Sequence, residues 1–146
     1  RDTDRSDETL SLRTLAERCA CALARASGCG PAPAPAAIAG HEAATLKWAQ
    51  QHGLVDARGA ARLARIGCGS FAAHTYAGAS RALVQLGADL IAWLYLFDDA
   101  HGEQGDEAAF AAAVSVARGE ALPFGASPFL RALADLGRRA AGAVGL

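Results

Sequence analysis

The stretch from Leu83 to Phe97 is apolar except for Gln85 and Asp89, and it runs straight into Asp98 and Asp99. It falls short of the about 18 uninterrupted apolar residues that a membrane span needs. We therefore read it as a buried helix, which obliges the rest of the chain to supply apolar partners around it. The surrounding sequence is suited to that: alternating-polarity strand patterns are missing, and apolar residues recur at three- and four-residue spacing. The chain is 52% hydrophobic and 20% charged, so it is globular rather than disordered, and its 146 residues suffice for one compact domain with a real core. The expected fold class is all-α.

Glycine and proline punctuate the pattern. In residues 1–30 a polar start leads into a stripe of Leu12, Leu15, Cys19, Ala22, Leu23 and Ala26, stopped by Gly28, Gly30 and Pro31. Residues 31–40, opening Pro31-Ala32-Pro33-Ala34-Pro35, read as a stiff extended linker. Helices are predicted over His41–His52, closed by Gly53, and over Ala57–Ile66, loosened by Gly67 and Gly69. Ser80 caps the long apolar helix. A further helix starts at Asp106 or Glu107 and ends near Gly119. Pro128 suits the first turn of a last helix, Phe129 to about Ala141.

Five of the 15 acidic residues (Asp98, Asp99, Glu103, Asp106 and Glu107) gather directly after the apolar run. Carboxylates at a helix C-terminus oppose the negative end of its dipole, at about 0.3–1 kcal/mol each. Mutual repulsion and an apolar neighbourhood add to the cost. A divalent cation reverses all of these contributions, and oxygen ligands that leave room for water and phosphate suit Mg²⁺. Three, four and seven residues before Asp98 stand Tyr95, Leu94 and Ile91, so its helix face is lined by apolar and aromatic groups. That combination suits a ligand with an anionic head and a hydrocarbon tail. Acids at a helix end also serve simply to cap the next helix or face solvent, and on the acids alone that reading stands beside the metal one.

Phe97-Asp98-Asp99-Ala100-His101-Gly102-Glu103 resembles the aspartate-rich motif of bacterial class I terpene cyclases, in its variant with an acid five positions after the first Asp. Asp89 and Trp93 resemble the Asp and Trp landmarks of the helix that precedes it. His41-Glu42, Lys47-Trp48-Ala49 and Gly53-Leu54-Val55 resemble the family's opening, and Tyr76-Ala77-Gly78-Ala79-Ser80 its turn. The resemblance covers about His41 to Arg139 and implies residues 41–146 to be the N-terminal half of a terpenoid-synthase-type helical bundle. It implies a cyclase that uses three Mg²⁺ ions to ionise a linear prenyl diphosphate. Asp98 would be the principal metal ligand, supported by Asp99 and Glu103, while Ile91, Leu94, Tyr95 and Phe71 would shape the substrate cavity.

The sequence departs from the family in three places. Ala77 stands where the turn usually has Pro. Gly102 takes the place of the last Asp of the commoner motif, which leaves Glu103 about 140° from Asp98 on an ideal helix. Either the helix deforms near Gly102, or Glu103 does not share a metal with Asp98. The family's second metal set, an Asn, Ser and Glu on a later helix, does not occur. A homodimer or a missing C-terminal half in a longer parent would then complete the site, and little cyclase activity is expected of these 146 residues alone. Two further readings stay open: a chain-elongating prenyltransferase, which carries two aspartate-rich motifs against one here, and a non-catalytic helical interaction module.

A net charge of −1 offers no basic field for nucleic acid or an anionic membrane. Cys19, Cys21, Cys29 and Cys68 form no metal-type pair and are read as reduced thiols. The charged start, Arg1-Asp2-Thr3-Asp4-Arg5, leads into no apolar core, so a cytoplasmic location is expected. With Arg first and no Met at all, the chain is expected to be processed, trimmed or part of a longer protein. Trp48, Trp93 and Phe71 are read as core, and His41, His52 and His74 as surface or helix-end residues. His101 is read as solvent-exposed, and Lys47, Arg62 and Arg65 as solvated faces.

Overall fold

The computed structural model describes residues 31–144. The helix expected within residues 1–30, and Cys19, Cys21 and Cys29 with it, lie outside the described residues. The described chain is helical throughout, with no strand: α1 (Pro35–Gln51), α2 (Ala57–Ile66), α3 (Cys68–Thr75), α4 (Arg81–Phe97), a π-helical turn (Asp98–Gly102), α5 (Glu107–Ala117) and α6 (Pro128–Val144). The all-α expectation holds. Among the described residues, no helix is long and apolar enough to cross a membrane.

Local chemistry sets most of these boundaries. Asp56 caps α2 by accepting the N–H of Gly59, and Gly67 ends it at φ 78°. Ser80 Oγ accepts the N–H of Leu83 at the start of α4, and Asp106 accepts that of Ala109 at the start of α5. Two boundaries differ from expectation. Helix α1 begins at Pro35 rather than His41, so the extended linker covers only 31–34. Pro35 sits in the first turn, where its missing N–H costs nothing, and Ala36, Ala37 and Ile38 propagate the helix behind it. The second difference is α3, which was not expected at all. Gly67 and Gly69, read as helix-loosening, instead start a new helix and let it approach α1. A Cβ on Gly69 would stand 2.7 Å from the backbone N of Glu42.

Helix α4 is the axis of the molecule, packed by α1, α3 and α6, with α5 against α6 and α2 against α1. Its buried side is two adjacent rows at four-residue spacing: Val84, Ala88 and Ala92, then Asp89, Trp93 and Phe97. Ala88 and Ala92 are fully buried, and side chains this small let neighbouring helices come close. Trp93 stacks on Phe97 with centroids 4.6 Å apart, and donates its Nε1 hydrogen to the carbonyl of Phe129. Trp48 and Trp93 are core, as read. The apolar run is nonetheless only half covered: Leu83, Leu90, Leu94 and Tyr95 are exposed. Phe71, also read as core, is 61% exposed on α3.

A chain of polar contacts runs through this core. His41 Nδ1 lies 2.7 Å from Gln85 Oε1, and Gln85 Nε2 donates to both Thr45 Oγ1 and Asp89 Oδ1. Thr45 also donates to Asp89, whose other oxygen meets Arg139 at 2.8 Å. Arg139 reaches on to Asp135, which accepts from Trp48 Nε1 at 3.1 Å. His41, Thr45 and Asp89 are buried, and no buried side-chain polar atom among the described residues lacks a partner. His41 is therefore not a surface residue, as read, but a buried member of this chain. Its pairing with Gln85 satisfies the ring where water cannot reach it.

Candidate functional site

Asp98, Asp99 and Glu103 line an open hollow of about 700 Å³ between α2 with the loop before it, the end of α4 with its π turn, and the start of α6. Leu54, Val55, Leu63, Ile66, Leu96 and Phe129 give it an apolar lining. Asp98, Asp99, Glu103 and Arg62 give it a charged edge, and Tyr95 borders it. Of the seven residues named from the sequence, the hollow brings together four: Asp98, Asp99, Glu103 and Tyr95. Ile91 is half-buried against the core, and Leu94 and Phe71 are exposed elsewhere on α4 and α3. Leu94 lies four residues before Asp98 and continues a stripe of exposed Leu83 and Leu90, so Asp98 stands where that stripe meets the hollow.

The helix does deform at the motif. Asp98–Gly102 forms a π-helical turn, in which hydrogen bonds run from each residue to the fifth along rather than the fourth. Residues five apart in such a turn lie near one another, which brings Glu103 round toward the side of Asp98. Gly102 makes room inside the turn. A Cβ there would stand 3.0 Å from Asp98 Cγ and closer still to its Oδ1, so the carboxylate occupies the space that any other side chain would fill.

Asp99 has a partner that its sequence neighbours do not reveal. Arg62 grips it with both guanidinium nitrogens, NH1 to Oδ2 at 2.8 Å and NH2 to Oδ1 at 2.6 Å. Arg62 was read as a solvated face. The sequence signal was the spacing of Gly59, Arg62, Leu63 and Ile66, one face of α2, all of which line the hollow. Both partners are largely exposed, so the pair contributes about 0.2–1 kcal/mol.

His101 turns away from the acids that flank it. It packs on Phe97 and Phe129, with centroids 4.8 Å and 5.5 Å away, and its Nδ1 lies 3.0 Å from Asp106 Oδ2. It is half-buried rather than exposed, as read. The Asp106 carboxyl is held below the usual carboxylate range by the Ala109 N–H it accepts and then by His101. Cys68 is buried and unpaired; burial, then the nearby charge of Glu42, pushes its thiol up to about 11. It is protonated at neutral pH.

Among the described residues, no three His, Cys, Asp or Glu side chains converge closely enough to hold a metal unaided. Magnesium does not demand that, because one or two carboxylates suffice when water and phosphate oxygens complete its shell. Asp98 and Glu103, at an open rim, fit that donor set; Asp99 fits it once freed from Arg62.

No family model matches the sequence, and no solved structure matches it. Over 100 residues it is 37% identical to pentalenene synthase of Streptomyces avermitilis, an alignment covering 64% of this chain and 30% of that protein. Over 104 residues it is 36% identical to pentalenene synthase of Streptomyces arenae, covering 67% of this chain and 31% of that one. The chain thus matches less than a third of the length of these curated relatives. The similarity supports a relationship between this helical chain and terpene synthases.

Proposed function

We propose that this chain carries the aspartate-rich metal wall of a magnesium-dependent class I terpene cyclase, which ionises and cyclises a linear prenyl diphosphate. The observation that carries the reading is the π turn, which sets Asp98, Asp99 and Glu103 along one edge of an apolar hollow. The partial identity to two pentalenene synthases and the all-helical fold support it.

In this reading Asp98 and Glu103 would hold the metal, with Asp99 joining them once freed from Arg62. Bound magnesium supplies the positive charge that a departing diphosphate requires. Tyr95 and Leu96 beside the acids, and the exposed Leu83, Leu90 and Leu94 stripe leading to Asp98, offer apolar surface for the hydrocarbon, and an opposite wall closing over it would keep an allylic cation from water. The family's second set of metal ligands does not occur in the sequence, so a longer parent or a second copy would supply the opposite wall. Residues 1–146 alone are expected to turn over geranyl or farnesyl diphosphate poorly or not at all, and a normal rate would refute that.

Calorimetry with inorganic diphosphate tests the reading directly. Binding is expected to require Mg²⁺ and to fall at least tenfold in Asp98→Asn, while that exposed substitution leaves the melting temperature nearly unchanged. An interaction module would bind neither the metal nor diphosphate, and that result would end the proposal. Cyclic products from a complete enzyme separate it from chain elongation, which yields a longer linear diphosphate.

A further inference from the structure

Arg62 occupies a place that the proposed chemistry leaves unexplained. Its guanidinium sits on the acidic rim and takes both oxygens of Asp99, a residue 37 positions later in the chain. Neither Arg58 nor Arg65, on the same helix, borders the hollow. The position is thus set by the face of α2 that Gly59, Leu63 and Ile66 also turn inward.

A fork-to-carboxylate pair is the most geometrically matched ion pair available to a side chain. It neutralises one of three neighbouring acids in the absence of any metal, which lowers the repulsion within the motif. It also opposes metal binding, since a divalent cation at Asp99 would meet a positive charge already seated there. The pair is weakly held all the same. Arg62 is 63% exposed and Asp99 47%, so water competes for both groups. A long flexible side chain on a helix facing the hollow moves aside at little cost. Once released, the guanidinium remains on the rim, with the planar donor geometry that suits phosphate oxygens.

We propose that Arg62 is a stand-in cation: it holds Asp99 in the metal-free protein, yields the carboxylate to magnesium, and then binds the incoming diphosphate. The inference rests on the proposed function. It goes beyond it in giving α2 a part in loading the site and in ordering the events, with metal exchange before anion capture. Arg62 is thereby a positioning residue for Asp99 and a binding residue for the anion.

The two halves of this role predict shifts of opposite sign in one variant, which a merely structural side chain would not produce. Titrating the full chain with Mg²⁺ alone, Arg62→Ala is expected to bind the metal about two- to fivefold more tightly, because the competitor is gone. At saturating Mg²⁺ the same variant is expected to bind inorganic diphosphate about fivefold to tenfold more weakly, because an anion partner is gone. Arg62→Lys keeps the charge without the fork, so its diphosphate affinity should fall between those of Arg62→Ala and the parent. Circular dichroism checks that each variant is folded. Unchanged or weaker Mg²⁺ binding in Arg62→Ala would overturn the stand-in role, and unchanged diphosphate binding would overturn the capture role. If the parent and Arg62→Ala bind neither probe, the metal wall itself is disproved and this inference falls with it.

Discussion

At Gly102 one missing carbon leaves room for the Asp98 carboxylate. The carboxylate occupies the inside of the π turn, and the glycine's φ lies in the range that any residue adopts. Gly102→Ala should therefore relieve backbone entropy while pushing Asp98 out of place. Denaturant unfolding is expected to show stability unchanged or up by at most about 1 kcal/mol. Calorimetry is expected to show Mg²⁺ affinity reduced severalfold. A parallel loss of both would mean that the turn, and not the carboxylate's position, is what glycine protects. The sequence made the geometry at Gly102 a question, because Glu103 lies five residues from Asp98, which an α-helix cannot bring to one side. It could not choose between a deformed helix and an idle glutamate. Nor could it pair Arg62 with Asp99, since an arginine spaced for a helix face reads as solvated until its neighbour across the hollow is known.

Among the elements, boundaries written in local chemistry were legible. Ser80, Asp106 and Pro128 each act within one turn of their own position, and the starts of α4, α5 and α6 fall where those residues put them. Elements set by distant contacts were not. Helix α3 depends on Gly69 meeting the backbone of α1, a fact recorded nowhere near Gly69 in sequence, so glycine was read by its usual local effect. Besides Gly102, two further tight glycines, in α3 and α4, differ in what they meet. A Cβ at Gly69 confronts the backbone of Glu42 and His41, which cannot yield without moving α1. A Cβ at Gly87 confronts the ring edge of Tyr76, which is 43% exposed and free to swing outward. Urea unfolding should find Gly69→Ala destabilising by about 1–3 kcal/mol. Gly87→Ala should cost clearly less. Equal costs would show that the Tyr76 ring is as fixed as a backbone.

For the molecule as a whole, acid sensitivity follows from the contacts that tie α6 to α1. Burial alone would raise the pKa of Asp135, but the Trp48 Nε1 hydrogen bond, Arg139 and His52 outweigh it and hold the carboxyl below its ordinary 3.8. A carboxyl more acidic in the folded than in the unfolded state binds fewer protons when folded, so stability rises with pH across that window. Its contribution is complete above about pH 4 and disappears as pH falls through the lowered value. Asp135→Asn is expected to be less stable than the parent at pH 6 and to lose less on acidification from pH 5 to pH 2, as followed by denaturant midpoints. Parallel curves would remove Asp135 from the account. The all-α class was readable because periodicity reports it directly. The joining of His41, Asp89 and Arg139 was not, because it links residues from nearly opposite ends of the described chain. Two of these, His41 and Asp89, had drawn notice as landmarks of a resemblance, and they turn out to be internal fastenings.

Those fastenings carry a mechanical corollary. Apolar burial is non-directional, so by itself it discriminates less sharply than hydrogen bonds do between alignments one helical turn, about 5.4 Å, apart. The row from His41 through Gln85, Asp89 and Arg139 to Asp135 supplies that discrimination, because each donor fits an acceptor at a single height. Three helices are thereby keyed to one vertical alignment. Asp98 lies beyond Asp89 along the same rod by about 13 Å, at 1.5 Å per residue. The level at which the acidic rim faces α2 is accordingly dictated from deep inside the bundle.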